Sequence, residues 1–330
     1  MEDNKYSVPY FKKNINLEDA LTDLNTHIEK IVIDNKTNLN TVDKPIFMIM
    51  GAPRSGSTLM LQWLSSLGLF SYPSNLIARF YKNPYIGIRA QQALLEYDPL
   101  NQLGFNNTTV DFTSQLGKTM GALNPSEFWY FWRNHFKLNG FSEVLNLNDD
   151  FSLFLNQLKS FEYLTGKPLA LKGMLLFNDI PLLHKISNKI IFINLKRDTF
   201  FNAQSLLFAR EKYFNDTNKW YSFKPKEYEL IKHKDPISQV AGQVVFIKNA
   251  IEKGLKEIPK SNKLEVDYED FCLNPIKILN VLKDKCKELN YNLEIDKVSP
   301  KLLKPFKINN SIKLNTFETK QLNKELNKYK

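Results

Sequence analysis

The chain has only two cysteines, Cys272 and Cys286, and they lack the paired spacing of a zinc site or a disulfide framework. No stretch approaches the ~18 consecutive apolar residues of a membrane-spanning helix. The opening segment MEDNKYSVPYFKKN begins acidic and has no apolar core of the signal-peptide kind. There is no dense basic arm either, because the lysines are scattered through an asparagine-rich sequence. These absences argue against a disulfide scaffold, a structural zinc module, an integral membrane protein and a nonspecific DNA binder. The expectation is a soluble protein of a reducing, cytoplasmic compartment, with no transmembrane segment and no nucleic-acid partner.

What is present is a chain of 330 residues, 43% hydrophobic and 13% aromatic, enough to bury a substantial core as one large domain. Lysine and arginine number 45 against 35 acidic residues, a formal charge of +10, so the long-range field favours anionic ligands.

The stretch PIFMIMGAPRSGSTLMLQWLSSLG, residues 45–68, carries most of the chemical information. Ile46 to about Met50 reads as a short buried strand. Gly51, Pro53 and Gly56 form a turn, and Leu59, Met60, Trp63, Leu64 and Leu67 follow with helical spacing. A strand, a glycine turn and a helix N-terminus make an anion cradle, because open backbone amides and the positive end of the helix dipole converge there. Against the nucleotide-binding pattern G-x-x-x-x-G-K-[ST], Gly51, Gly56 and Thr58 match, but Ser57 stands at the lysine position and the cation has moved to Arg54. Without that lysine, clamping the β- and γ-phosphates of MgATP loses ground, whereas a single 5'-phosphate is still well held. The plain alternative is an ordinary strand-to-helix turn with a surface arginine.

PRSGST after a strand resembles the 5'-phosphosulfate loop of the sulfotransferases that use 3'-phosphoadenosine 5'-phosphosulfate (PAPS). The segment KIIFINLKRDTFFNAQSLLFAR extends the resemblance. A strand from Ile190 to Leu195 is followed by Arg197, with Ser205 eight residues later on the next helix, as in the family's grip on the 3'-phosphate. A planar guanidinium and a rotatable hydroxyl suit a dianionic phosphomonoester. The plain alternative pairs Arg197 with neighbouring Asp198 on a solvated loop. Arg210, near Ser205 on the same helix, is expected to join the grip.

The remaining correspondences are weaker. Lys172 matches the lysine that attends the leaving phosphate in cytosolic sulfotransferases, but Met174 replaces the histidine base of that branch. Asn75 stands where tyrosylprotein and some bacterial sulfotransferases carry a glutamate base, and an amide cannot accept the proton. The V-x-Y-E sequence from Val266 to Glu269 resembles the family's strand whose tyrosine lies beside the adenine, which would be Tyr268 here. Asn310, Ser311 and Lys313 resemble the segment that closes over the donor, although an exposed basic tail explains them equally. In all, the resemblance spans about residues 45 to 315. It implies an α/β, P-loop NTPase-like three-layer sandwich with a central parallel sheet and a helical, aromatic-rich substrate insertion. Residues 1–330 are then one sulfotransferase domain, with 1–44 an N-terminal helical extension and 74–160 the substrate-side insertion.

The donor contacts implied are Arg54, Ser55, Gly56, Ser57, Thr58, Arg197, Ser205, Arg210, Tyr268, Asn310, Ser311 and Lys313. Arg54 and Lys172 would stabilise the leaving phosphate as the sulfuryl group passes to a hydroxyl or amine, with adenosine 3',5'-bisphosphate as product and no metal required. Glu127 and His135, eight residues apart in an aromatic cluster of Phe128, Trp129, Tyr130, Phe131, Trp132 and Phe136, are read as presented from one helix. Either could be the base. Capping by Glu127 and surface exposure of His135 are the alternatives, and a core role is the alternative for the cluster. A sugar, a phenol or a lipid headgroup each fits such aromatic faces. Arg79 and Arg89 could face an anionic acceptor or simply be solvated.

Elsewhere, Leu17, Leu21, Leu24, Ile28 and Ile31 suggest one face of a helix started by Asn16 and Asp19, with His27 at its surface. A polar connection runs from Asp34 to Pro45. Residues 208–236 read as a lid over the acceptor, and Val240, Val244, Ile247, Ile251 and Leu255 as a long amphipathic helix. Two other functions stay open: a P-loop-type ATP phosphotransferase, and a noncatalytic nucleotide- or polyanion-binding protein.

Overall fold

The computed structural model describes residues 6–31, 43–97, 100, 102–105, 110–136 and 150–329. Most of the polar connection expected from Asp34 lies outside them, as does the end of the aromatic segment beyond Phe136.

Among the described residues, four strands form one parallel sheet: β1 (Ile46–Met50), β2 (Leu169–Lys172), β3 (Ile190–Lys196) and β4 (Lys263–Asp267), in the order β2-β1-β3-β4. The central strand β1 is a continuous apolar run, and β3 is one as far as Ile193, because both faces of the sheet are covered; Asn194 breaks the run in β3. Along β1, Ile46, Met48 and Met50 face one core and Phe47 and Ile49 the other, and β3 alternates likewise. The first core is closed by the helices α6 (Thr199–Phe214) and α7 (Pro236–Lys256) and by the aromatic cluster. The second is closed by α2 (Ser57–Ser66), α8 (Tyr268–Leu273) and α9 (Pro275–Glu288). The α/β architecture with a central parallel sheet is as expected from the sequence. Both cysteines are free and buried in the second core, and burial pushes the Cys286 thiol up to about 12.

Local chemistry corrects several boundaries. The first helix, α1 (Ile15–Ile28), is capped by Asn14, whose side chain accepts from Leu17 N–H at 3.2 Å, not by Asn16 or Asp19. Its packed residues are Leu21, Asn25 and Ile28, whereas Leu17 and Ile31 are exposed. Asn25 ties the helix to the chain ahead of it: its Nδ2 donates to Arg79 C=O at 2.8 Å and its Oδ1 accepts from Lys82 N–H at 3.0 Å. The helix α3 (Trp129–His135) starts after Glu127, because Phe128 adopts a left-handed conformation (φ 58°). Two further helices, α4 (Ser152–Thr165) and α5 (Ile180–Ile186), flank β2, and α10 (Thr316–Tyr329) packs on α7. The sheet directs the carboxyl ends of β1, β2 and β3 to one edge, where open α/β sheets gather their ligands.

Candidate active site

The turn after β1 leaves the first amides of α2 open, since the N-cap is Gly56, which offers no side chain. Gly56 has φ 93°, and a Cβ there would lie 2.5 Å from Cδ2 of Tyr268. Glycine is therefore required both by conformation and by contact. Arg54 also takes a left-handed conformation (φ 68°), an uncommon state for a side-chain-bearing residue. Its carbonyl accepts from Arg197 Nη1 at 2.8 Å, and its Nε donates to Ser205 Oγ at 3.1 Å. The loop and the Arg197–Ser205 motif thus touch directly.

Arg197 directly follows β3. Besides the Arg54 carbonyl, it donates from Nε to Asn310 Oδ1 at 2.9 Å and from Nη2 to Asn309 C=O at 2.5 Å. All three acceptors are neutral oxygens. Asp198 does not pair with it but caps α6, accepting from Phe200 N–H at 2.8 Å. Burial lowers the Arg197 pKa, with Tyr268 and Glu269 acting in the opposite direction. Among the described residues, Arg54 and Arg197 are held together without a carboxylate on either.

The segment around Asn310 does reach this place. Asn310 Nδ2 donates to Glu269 at 2.6 Å, while Gln204 holds the Ser311 carbonyl at 2.8 Å and the Lys313 amide at 2.7 Å. Asn202 anchors the loop by donating to Pro53 C=O at 2.9 Å. Neither Gln204 nor Asn202 was singled out from sequence. The available signal was helical spacing, because Asn202 and Ser205 lie three residues apart and so share a face.

Beside the loop, Lys172 ends β2, only 4% exposed; its Nζ donates to Thr58 Oγ1 at 2.9 Å and is ion-paired with Glu127. The other Glu127 oxygen accepts from Trp129 Nε1 at 2.5 Å. A two-stranded hairpin, Ser114–Gln115 with Lys118–Thr119, puts its tip here. A Cβ on Gly117 would lie 2.9 Å from Glu127 Oε1 and 3.6 Å from Thr58 Oγ1. Tyr221 Oη holds that tip through Leu116 C=O at 3.1 Å, so the segment expected as a lid does reach the cleft. A cavity adjoins the pair, walled by Trp129, Trp132, Met174, Leu175 and Phe223.

Three expected site residues are placed elsewhere in role. His135 is packed against Phe131 and Phe154 and bonded to Gln157 at 2.7 Å; burial lowers its pKa, and none of these partners belongs to the cleft. Glu127 and His135 are therefore not presented together. Arg210, 0% exposed, bonds Gln239 at 2.7 Å and Gln243 at 3.1 Å on α7 and lies over Trp220. Five residues on a helix rotate a side chain about 140° from Ser205, away from the loop. Burial lowers the Arg210 guanidinium to about 10. Tyr268, 5% exposed, has Gly56 against the Cδ2–Cε2 edge of its ring and Arg197 over it at 4.9 Å, so it braces the loop. Arg79 and Arg89 are exposed and do not touch the cleft, Arg89 being held by Gln92 at 3.1 Å. Asn75 bonds Thr119 and Gly121, a structural role. Arg210→Met is expected to lower the unfolding temperature while leaving nucleotide affinity of the folded fraction within about threefold, since packing and hydrogen bonds are lost far from the loop. Calorimetry and ligand titration check the two halves.

The sheet order, the glycine turn and the cations at the carboxyl edge define an α/β protein of the phosphate-loop kind. The chain belongs to the Sulfotransferase family, whose sequence model matches residues 45–289, and it is therefore a transferase. Among solved structures, sulfotransferase STF9 from Mycobacterium avium is similar at 12% identity and a TM-score of 0.54, covering 86% of this chain and 74% of that one. Sulfotransferase STF1 from Mycobacterium tuberculosis H37Rv is similar at 11% identity and a TM-score of 0.49, covering 99% and 93%. The likeness of fold rests on the first. A comparison with curated proteins returned no match. Among the described residues, no helix is long and apolar enough to cross a membrane.

Proposed function

We propose that the protein transfers the sulfuryl group of PAPS to an acceptor hydroxyl, releasing adenosine 3',5'-bisphosphate. The observation that carries this reading is the joined pair Arg54 and Arg197, two like charges braced on neutral oxygens with no carboxylate partner among the described residues. A half-buried guanidinium pair of this kind calls for an anionic counterpart. The fit is supported by the Ser55 hydroxyl, buried in the turn without a hydrogen-bond partner among the described residues. PAPS supplies the activated sulfuryl group.

The turn from Arg54 to Thr58 would hold the 5' end through its amides and hydroxyls, and Arg197 with Ser205 the 3'-phosphate. Asn310, Ser311 and Lys313 would border the donor as part of the segment bonded to Arg197 and Gln204. Lys172, at hydrogen-bond distance from Thr58, would stabilise charge developing on the leaving phosphate. Glu127 would accept the acceptor's proton and, before that, fix Lys172. Residues 74–160, which contribute Glu127, Trp129 and Trp132, would form the acceptor side of a single domain that includes 1–44 as a helical extension. The two free thiols suit a cytoplasmic setting.

A thermal-shift panel tests the assignment. Adenosine 3',5'-bisphosphate without magnesium is expected to stabilise the protein by ~2.7 kcal/mol at a hundred times its dissociation constant. Preference for MgATP would overturn it in favour of a phosphotransferase. Stabilisation without sulfuryl transfer to any acceptor would favour a binding protein.

A further inference from the structure

Resting on that assignment of Lys172 and Glu127, we propose that the acceptor is an uncharged, mainly apolar alcohol or phenol bearing a second, hydrogen-bond-accepting oxygen. The Trp132 indole N–H recognises that second oxygen. The cavity beside the pair is walled by Trp129, Trp132, Met174, Leu175 and Phe223, and among the described residues its only charged lining groups are Lys172 and Glu127 themselves. These two neutralise each other. An anionic acceptor would shed its hydration in this cavity without meeting a free counter-charge, a loss that nothing in the wall offsets. Trp129 stacks on Phe223 with ring centroids 5.7 Å apart and 22° between planes, a flat apolar wall suited to a ring or a chain.

The two tryptophans of this wall differ in one respect. Trp129 Nε1 donates to Glu127 at 2.5 Å, so that indole holds the carboxylate. Trp132 is 1% exposed, and its Nε1 has no hydrogen-bond partner among the described residues. A buried indole N–H ordinarily finds an acceptor, and leaving one open is costly. One open donor on a residue of this apolar wall matches one carbonyl or ether oxygen. It cannot satisfy the several hydroxyls of a sugar. In the transfer, the acceptor's hydroxyl oxygen forms a bond to sulfur as the bond from sulfur to the 5'-phosphate oxygen breaks. The hydroxyl proton passes to the Glu127 carboxylate, and the bisphosphate leaves with the bonding pair. The second oxygen takes no part in bond making; it sets the acceptor's orientation.

The test measures kcat/KM with PAPS for 3-hydroxyacetophenone and 3-ethylphenol, alike in shape but differing in the carbonyl, in the wild type and in Trp132→Phe. The wild type is expected to favour the ketone about tenfold, and Trp132→Phe to bring the ratio near one. The acidity difference between the phenols is common to both proteins, and general damage to packing would lower both rates without moving the ratio. An unchanged ratio in Trp132→Phe overturns the proposal. So does wild-type turnover of N-acetylglucosamine or 3-hydroxybenzoate in preference to both phenols, a comparison that decides the matter if the variant does not fold. Thermal stabilisation by adenosine 3',5'-bisphosphate is read on the same samples. If it persists while the phenols are inert, the acceptor claim alone fails; if it is absent, the donor assignment fails with it.

Discussion

Arg197→Ala is expected to weaken binding of adenosine 3',5'-bisphosphate by about a hundredfold or more, a loss of ~2.7 kcal/mol. Two causes add. The charge-assisted bonds to a dianionic phosphate disappear, each worth about 1.5–3 kcal/mol. In addition, the carbonyls of Arg54 and Asn309 and the Asn310 side chain lose their common donor, so the loop loses its link to the segment around Asn310. Arg197→Lys restores a charge but not the three-pronged geometry, and is expected to recover only part of the affinity. Isothermal titration with the bisphosphate, alongside unfolding curves, separates loss of binding from loss of fold. An affinity within threefold of wild type for a folded Arg197→Ala protein would remove the basis of the donor assignment.

Lys172→Met is expected to reduce the rate of transfer about a hundredfold to a thousandfold, the range seen when one donor to a developing negative charge is removed. Donor binding should change far less, because Arg54, Arg197 and the loop amides are untouched. Methionine keeps much of the side-chain length while removing the ammonium that bonds Thr58 and Glu127. Glu127, 27% exposed on its side chain, can rehydrate once its partner is gone, so the fold tolerates this change better than the reverse one. Removing Glu127 instead would leave Lys172, at 4% exposure, as a buried unpaired cation. Single-turnover kinetics at saturating donor check the prediction, and a rate within tenfold of wild type would withdraw Lys172 from the chemistry.

How much of this was legible beforehand varies with the element. The strand Ile46–Met50 and its turn were readable because a buried parallel strand is a bare apolar run and a glycine turn has few alternatives. Arg197 and Ser205 were readable because strand and helix periods are local properties. His135 was misplaced because an imidazole among aromatic residues has the same sequence appearance whether it faces a cleft or is packed with Phe131, Phe154 and Gln157. Arg210 was misplaced for a related reason. Proximity in sequence to Ser205 does not reveal that Gln239 and Gln243, about thirty residues further on, would claim its guanidinium. The hairpin tip at Gly117 had no signal, since two-residue strands carry too short a pattern to register.

By itself the amino-acid sequence determined the alternation of strands and helices, the phosphate-type turn and the residue types at the ends of three strands. These follow from backbone preference and short-range periodicity. Only the tertiary structure decided which charges are left without a counter-ion and which are already satisfied: Arg54 and Arg197 open, Lys172 held by Glu127, Arg210 absorbed into the core. Charge balance depends on separations of a few ångströms between groups 29 to 143 residues apart, and packing, not local pattern, sets those separations.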